Sequence, residues 1–382
     1  MSDGVVDDLR TRTERLRAWA IPDQIALRHK IGLLGVPFAA IVPWVTRTTL
    51  TAELIFLLYV IVFAISWDVV SGYTGAFSFG HTFFYAIGGY TSAVLNIQHG
   101  VDPLISVPIG ALLAAVGGAI IGTPTLRLEG PYFALITLIA PLGLLQVFVY
   151  FGGIFGGKDG IIESPDNFVG TTSDSSLVVD AFDTMILVDY YIALLLVVCV
   201  LAISWAITRS DAGVVFYAIR TDEDVTKSLG FNTARYKISI FVISGFLGGL
   251  GGAMFVHSTA GLALPGLLLH ISVMIDVIIM VIIGGMGTIS GAVLGVVVFE
   301  VMERVIEWVS TEPIGFVIPG TERTLDDTMP VPAFIVAMLI VYYMPGGLVR
   351  KFVELGVDFR TEVRERDLEP DAEWYDRFGG RK

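Results

Sequence analysis

Stretches of about twenty apolar residues recur along nearly the whole chain, and this repetition restricts the possible fold more than any other feature. A helix needs roughly 17 to 25 mostly apolar residues to cross a hydrocarbon core about 30 Å thick, where every backbone polar group must be paired internally. Such stretches lie at roughly residues 31–48, 52–70, 77–96, 104–123, 132–151, 184–208, 237–257, 267–286, 289–309 and 331–346. With 54% hydrophobic and only 16% charged residues, the chain falls outside the range of soluble globular domains. The expected fold is an all-α polytopic membrane protein of about ten transmembrane helices. Residues 77–96 could instead be re-entrant, which would leave eight or nine crossings.

The basic residues give the expected orientation. If the N-terminus is cytoplasmic, twenty of the 24 Lys and Arg fall on the inner side: six in the arm 1–30, Arg127, five from Arg209 to Lys237, and eight from Arg350 onward. Only Arg47, Lys158, Arg304 and Arg323 lie elsewhere. Positively charged loops are retained in the cytoplasm, so both termini are expected inside the cell. The expected organisation is a cytoplasmic arm 1–30, a transmembrane domain 31–346 and an acidic cytoplasmic tail 347–382. Residues 152–183 form an external loop and 209–236 a cytoplasmic one. The N-terminus has no apolar leader followed by small residues, so no secretory signal peptide is expected. A net charge of −13 is unusual beside anionic lipid and suggests a high-salt host. The lone Cys199 excludes an intramolecular disulfide and a cysteine metal cluster.

Glycine breaks the apolar pattern at two related places. Gly72, Gly75 and Ser78 read G-x-x-G-x-x-S, as do Gly284, Gly287 and Ser290. Irregular backbone at membrane depth must be buried in protein or line a watery cavity. Both turns are expected at the inner mouth of the pathway, as equivalent parts of two internally similar halves. His81 follows the first turn and is expected mainly to satisfy backbone at an irregular helix start. Asp276 lies inside the eighth span, where an acid faces a cavity, a partner or the hydrated interface. Glu300, Glu303, Arg304 and Glu307 share a helix face and are expected to be solvated or paired with one another. The cluster Gly248, Gly249, Gly251 and Gly252 permits close helix packing.

Within 209–236, a short helix over 222–229 has its own start and stop. Thr221 is the expected N-cap, with Asp224 completing a capping box and Asp222 and Glu223 placing negative charge at the first turn. Gly230 is the expected left-handed stop. Val225 and Leu229 share a face. A helix of two turns is marginal alone and must dock onto something.

The stretch AIRTDEDVTKSLGFNTARYKISIFVISGFLGGLGGAMF resembles the cytoplasmic loop and following helix of LivM-type permeases of branched-chain amino-acid ABC importers. GYTGAFSFGHTFFYAIGGYT, PYFALITLIAPLGLL with GGKDGI after it, SVMIDVIIMVIIGGMGTISGAVLG and YYMPGGL match in order, covering roughly residues 52–350. The resemblance implies that Arg220, Asp222, Glu223, Val225, Leu229 and Gly230 form the element that couples to an ATPase. It also implies that Gly72, Tyr73, Gly75, Ser78, His81, Thr137, Asp276, Gly284, Gly285 and Gly287 belong to the translocation path or its inner turns. Val225, Thr226 and Ser228 stand where the family usually carries small alanines.

Three classes of function follow. The resemblance implies a permease subunit in the cell membrane for branched-chain or other apolar amino acids. Its partners would be ABC ATPase subunits, a second, LivH-like permease, an extracytoplasmic solute-binding protein and membrane lipid, with no cofactor, metal or nucleic acid. Related permeases carry urea or short amides. The chain lacks a GxxxxGK[ST] phosphate loop, as expected of a subunit that borrows its ATPase. An ion-driven secondary transporter using Asp276 or Asp68 is the second class, and it leaves the 222–229 helix without a purpose. An enzyme would need clustered His, Asp, Glu or Cys, which five scattered histidines and one cysteine do not supply.

Overall fold

The structure is a computed structural model that describes residues 35–125, 131–163, 165–168, 178–311, 331–344 and 346–351. The described residues are overwhelmingly α-helical, with one isolated antiparallel bridge between Ile161 and Ala263. The principal helices are α1 Thr48–Thr74, α2 His81–His99, α3 Pro103–Thr125, α4 Pro131–Tyr150, α5 Val178–Arg209, α6 Asp211–Thr221, α7 Glu223–Ser228, α8 Thr233–Val256, α9 Ile271–Gly284, α10 Ile289–Thr311 and α11 Val331–Tyr343. A short apolar helix, Gly35–Trp44, precedes them. The arm 1–30, Arg127, Arg323 and most of the tail 347–382 lie outside the described residues.

Among the described residues seven helices are long and apolar enough to cross a bilayer, and the chain is an all-α polytopic membrane protein. The other three expected spans are helical but differ for physical reasons. Gly35–Trp44 is short. α10 carries Glu300, Glu303 and Arg304. α2 is rich in Thr, Tyr, Gly, Ser and Asn because protein surrounds it: nearly every residue from His81 to Ile97 is buried or half-buried. A helix enclosed on all sides needs no lipid-facing apolar surface, so its lower hydropathy records its central position.

α1, about 40 Å long at 1.5 Å per residue, runs through the middle of the bundle. It packs on α5 and α8, with α10 along another side. α2, α3 and α8 form the tightest group, and α9 with α10 makes a helical hairpin. Helix approach in the tight group is set by missing side chains. A Cβ at Gly88 would run into the Gly249 carbonyl, one at Gly110 into the Gly88 carbonyl, and one at Gly252 into the Tyr85 backbone. Small residues that let backbones touch supply packing between membrane helices, where apolar burial alone supplies little.

Element boundaries depart from expectation at two places that matter. α5 begins at Val178, six residues before the expected span, because Asp180 and Asp183 make its first turns read as loop. α8 begins at Thr233, so Arg235 and Lys237 belong to its first turns. Between them the expected short helix is joined by a second one, α6.

Candidate functional site

The α6–α7 segment is built from side-chain caps. Ser210 accepts from the Gly213 N–H at 3.3 Å to start α6, which buries Val215, Phe216 and Ile219 against the bundle. α7 starts at Asp222, whose backbone is extended and whose Oδ1 accepts from the Val225 N–H at 2.9 Å. The cap is thus one residue later than the expected Thr221, and the expected capping box with Asp224 does not form. Thr221 instead donates to the Tyr217 carbonyl at 2.9 Å inside α6, leaving the stronger carboxylate acceptor to cap α7. Gly230, with φ +91°, stops the segment as expected, and Asn232 Oδ1 accepts from the Arg235 N–H at 3.1 Å to start α8.

Six residues cannot hold a helix in water by themselves. Here Glu223 holds α7 to α8: its carboxylate pairs with the buried Lys237 ammonium and accepts from Thr233 Oγ1 at 3.1 Å. Lys227 adds a weaker contact at 3.4 Å. Burial pushes the Glu223 carboxyl up, but the Lys237 hydrogen bond and charge, with Thr233 and Lys227, outweigh it and hold the group below its usual range. Thr226 and Ser228, where the family usually has alanines, return their hydroxyls to the Asp222 and Val225 carbonyls at 2.7 Å, so neither competes for an outside partner. The face left open is apolar: Val225 is 54% exposed and Leu229 70%.

The two glycine turns lie against one another at this same end of the bundle. Gly75 (φ +74°) closes α1, while Gly285 (φ +119°) and Gly287 (φ +82°) lead from α9 into α10. Asp68 Oδ1 accepts from the Gly287 N–H at 2.7 Å, and the Arg220 guanidinium donates to the Gly72 carbonyl. A Cβ at Gly72 would strike Asp68 and the Gly287 nitrogen, so the two turns approach at backbone distance. Gly72, Gly75, Gly284, Gly285, Gly287 and Arg220 are therefore brought together.

The break after Gly75 is satisfied from several elements. Trp67 Nε1 donates to the Ser78 carbonyl at 2.7 Å, and the Phe79 N–H donates to Thr137 Oγ1 of α4 at 3.1 Å. His81 is fully buried. Its Nε2 lies 2.6 Å from Ser244 Oγ, which donates to the Ser66 carbonyl, and its Nδ1 lies 3.2 Å from Ser78 Oγ. This chain places the ring proton on Nε2, so His81 fastens the irregular start of α2 to α8 and α1. Tyr73 sits beside the turn at the end of α1. Asp276 stands apart, half-buried and eight residues along α9 from Gly284, about 12 Å at helical rise.

A second polar cluster occupies the opposite end of the bundle and has no signal in the sequence. His257 Nδ1 donates to the Asp166 carbonyl at 2.7 Å while Nε2 lies 2.7 Å from Ser92 Oγ. Asn96 exchanges hydrogen bonds with Asp166, and Asp189 accepts from Asn167 at 2.9 Å and from the Thr259 N–H at 2.8 Å. These contacts join residues 22 to 165 positions apart, beyond the reach of any local pattern. At this end Arg304 pairs with Glu53 of α1 at 2.7 Å and with Glu300 at 3.3 Å, so the charged face of α10 is paired partly within itself and partly to α1.

Residues 50–343 match the family model described as the branched-chain amino acid transport system / permease component. The chain belongs to this family. It is 30% identical over 303 residues to the high-affinity branched-chain amino acid transport system permease protein LivM of Escherichia coli, covering 73% of this chain and 69% of that protein. The probable branched-chain amino acid transport permease protein LivM of Methanocaldococcus jannaschii is 22% identical over 85% of this chain and 88% of its own length. The fructose import permease protein FrcC of Rhizobium meliloti is 24% identical over 57% of this chain and 59% of its own. No solved structure matches significantly. As a LivM-type permease the chain is a multi-pass membrane subunit of an ABC importer. The matched residues span both glycine turns, α6, α7 and the far-end cluster.

Proposed function

We propose that this LivM-type permease carries branched-chain or other apolar amino acids across the cell membrane and that a separate ATPase drives it by gripping α7. The observation that carries the reading is the α7 surface. A helix too short to stand alone is fixed by caps at both ends and by the Glu223–Lys237 pair, yet presents Val225 and Leu229 to the outside. Exposed apolar residues on a rigid, polar-rimmed projection suit a protein partner.

In this reading the α6–α7 end faces the cytoplasm, consistent with the basic residues gathered there. The far-end cluster then faces the solute-binding protein. The exposed apolar residues of α3 and α4, among them Leu112, Ile120, Leu135 and Ile139, face lipid and a second permease subunit. In this reading half-buried Asp276 is the candidate contact for a substrate ammonium group, the other role for such an acid being hydration at the outer interface. The substrate assignment rests on the relatives' names, and the fructose permease among them shows that the resemblance extends to other cargo. An ion-driven mechanism through Asp68 is disfavoured, since its Oδ1 already accepts from Gly287 and the Arg220 charge acts on the same carboxylate.

The test is co-purification of the permease with its ATPase subunits. Leu229→Asp should reduce ATPase recovery at least about tenfold and abolish leucine uptake in proteoliposomes, while the chain inserts and purifies normally. Full recovery with Leu229→Asp would remove the assignment.

A further inference from the structure

We infer that the twin glycine turns form a socket for Arg220, and that this joint carries motion from the α6–α7 loop into α1 and α9. The inference rests on α7 being the ATPase-docking helix, but it concerns a different surface: Val225 and Leu229 are open to the outside, whereas the guanidinium of the surface residue Arg220 lies against the two glycine turns.

The geometry is specific to the two turns. The Arg220 stem passes over Gly75, where a Cβ would sit 3.4 Å from Arg220 Cγ. Its head group lies on Gly287, where any Cβ would overlap the guanidinium, and it donates to the Gly72 carbonyl. Gly75 and Gly287 occupy the same place in the two G-x-x-G-x-x-S motifs, and both have positive φ, at +74° and +82°. Each turn thus supplies one wall: Gly287 must be glycine both for its torsion and for the room, whereas Gly75, where a Cβ would make ordinary contact with the Arg220 stem, is required by torsion alone.

Asp68 closes the inner side. It is fully buried, holds the second turn through the Gly287 N–H, and keeps its other oxygen, Oδ2, without a hydrogen-bond partner. A buried carboxylate with an unmet oxygen is unfavourable unless a compensating charge lies close, and Arg220 across the Gly72–Gly287 contact is that charge. Arginine is suited to the task, because its planar fork can donate to a carbonyl while remaining fully ionised. Since Arg220 is in the last turn of α6, two residues before the α7 cap, a displacement of α7 moves the guanidinium directly. The pair of turns joins α1 to the α9–α10 hairpin, so that displacement reaches two helices of the bundle at once.

The experiment uses the complete permease–ATPase complex with Cys199→Ala, Thr123→Cys at the inner end of α3 and Ile271→Cys at the outer end of α9, both exposed and outside α7, spin-labelled at the two introduced cysteines. ATP should shift the distance distribution in this background. Adding Arg220→Gln should at least halve the shift while the ATPase still co-purifies. An unaltered shift would overturn the joint. Loss of ATPase from Leu229→Asp, with an unaltered shift in Arg220→Gln, would leave the docking assignment standing and remove only the joint. An ATPase that ignores Leu229→Asp would remove the docking assignment, and the transmission role with it.

A mutant cycle measured on thermal unfolding of the detergent-solubilised chain tests the socket without the ATPase. Gly287→Ala should lower the melting temperature through its left-handed torsion, the nearby Gly72 carbonyl and the Arg220 head group together, and Arg220→Ala should make that drop measurably smaller by removing the last of the three. Equal drops in the two backgrounds would overturn the socket.

Discussion

Gly88 and Gly230 are two of the 42 glycines of the chain, and they are glycine for opposite reasons. Gly88 lies in the regular helix α2, where any L-residue fits the backbone, but a methyl group would collide with the Gly249 carbonyl of α8. Gly230 has nothing within 4 Å of where a Cβ would stand, but its φ of +91° excludes ordinary side chains. One region needs room and the other needs a torsion. In the α2–α3–α8 core, glycine sets how closely three helices approach, and so governs the contact energy of the fold. At the α6–α7 end it sets only the direction of the chain, leaving the stability of the bundle to other residues. The socket glycine Gly287 combines both demands, which places it between the two extremes, while Gly75 needs the torsion alone.

The contrast breaks most readily in the core. Gly88→Val should destabilise the detergent-solubilised protein by at least about 3 kcal/mol, because the obstacle is backbone and α2 can accept the side chain only by separating from α8. Thermal unfolding and the yield of folded protein report it. A Gly88→Val chain that melts with the unsubstituted protein would mean that the α2–α8 approach is loose, and the distinction between the regions would dissolve.

An effect of middle size belongs to the base of α7. Glu223→Gln removes the charge that pairs with the buried Lys237 and should lower the protection of α7 amides from hydrogen exchange by about 1 to 2 kcal/mol, with little change in the global melting point. The same group fixes the pH dependence. Although burial pushes its carboxyl up, Lys237 and Thr233 hold it below the usual range, so its contribution is complete above the unfolded-state value and is lost as pH falls through the lower folded value. Amide protection in α7 should therefore be level from neutral pH down to about 5 and decline only below about 4. In Glu223→Gln that acid-dependent decline should be smaller, the Asp222 carboxylate still capping α7. A decline near neutrality in the unsubstituted chain would instead implicate a histidine.

How much of this could be read beforehand follows the range of each interaction. Apolar runs give helices from local composition alone, so the described part of each expected span is largely helical, while the central place of α2 shows only in its polar residues once their neighbours are known. Gly230 was legible as a stop because a torsional need is local. The N-cap was misplaced by one residue because Thr221 and Asp222 both suit the role, and the choice depends on where α6 ends, a helix the sequence did not announce. The repeated G-x-x-G-x-x-S spacing marked two turns, but not that Asp68 and Arg220 join them across 219 and 148 residues. The far-end cluster around His257 was illegible for the same reason: each partner is unremarkable in its own segment.

The smallest effect is the cleanest test of the contrast. Gly230→Ala adds a methyl group into open space, so no contact is lost or strained, and the whole penalty comes from holding an L-residue at positive φ. That penalty is about 1 kcal/mol. Asparagine tolerates the left-handed region better than alanine does, so Gly230→Asn should cost less than Gly230→Ala, in reverse order of side-chain size. The core behaves in the opposite sense: at Gly88 the loss should grow steadily from Ala to Val, following volume. Unfolding measurements on these four variants would therefore rank one site by torsion and the other by size. If Gly230→Asn proved worse than Gly230→Ala, the loop end would be crowded after all, and the open α7 surface on which ATPase docking depends would have to be occupied by the chain itself.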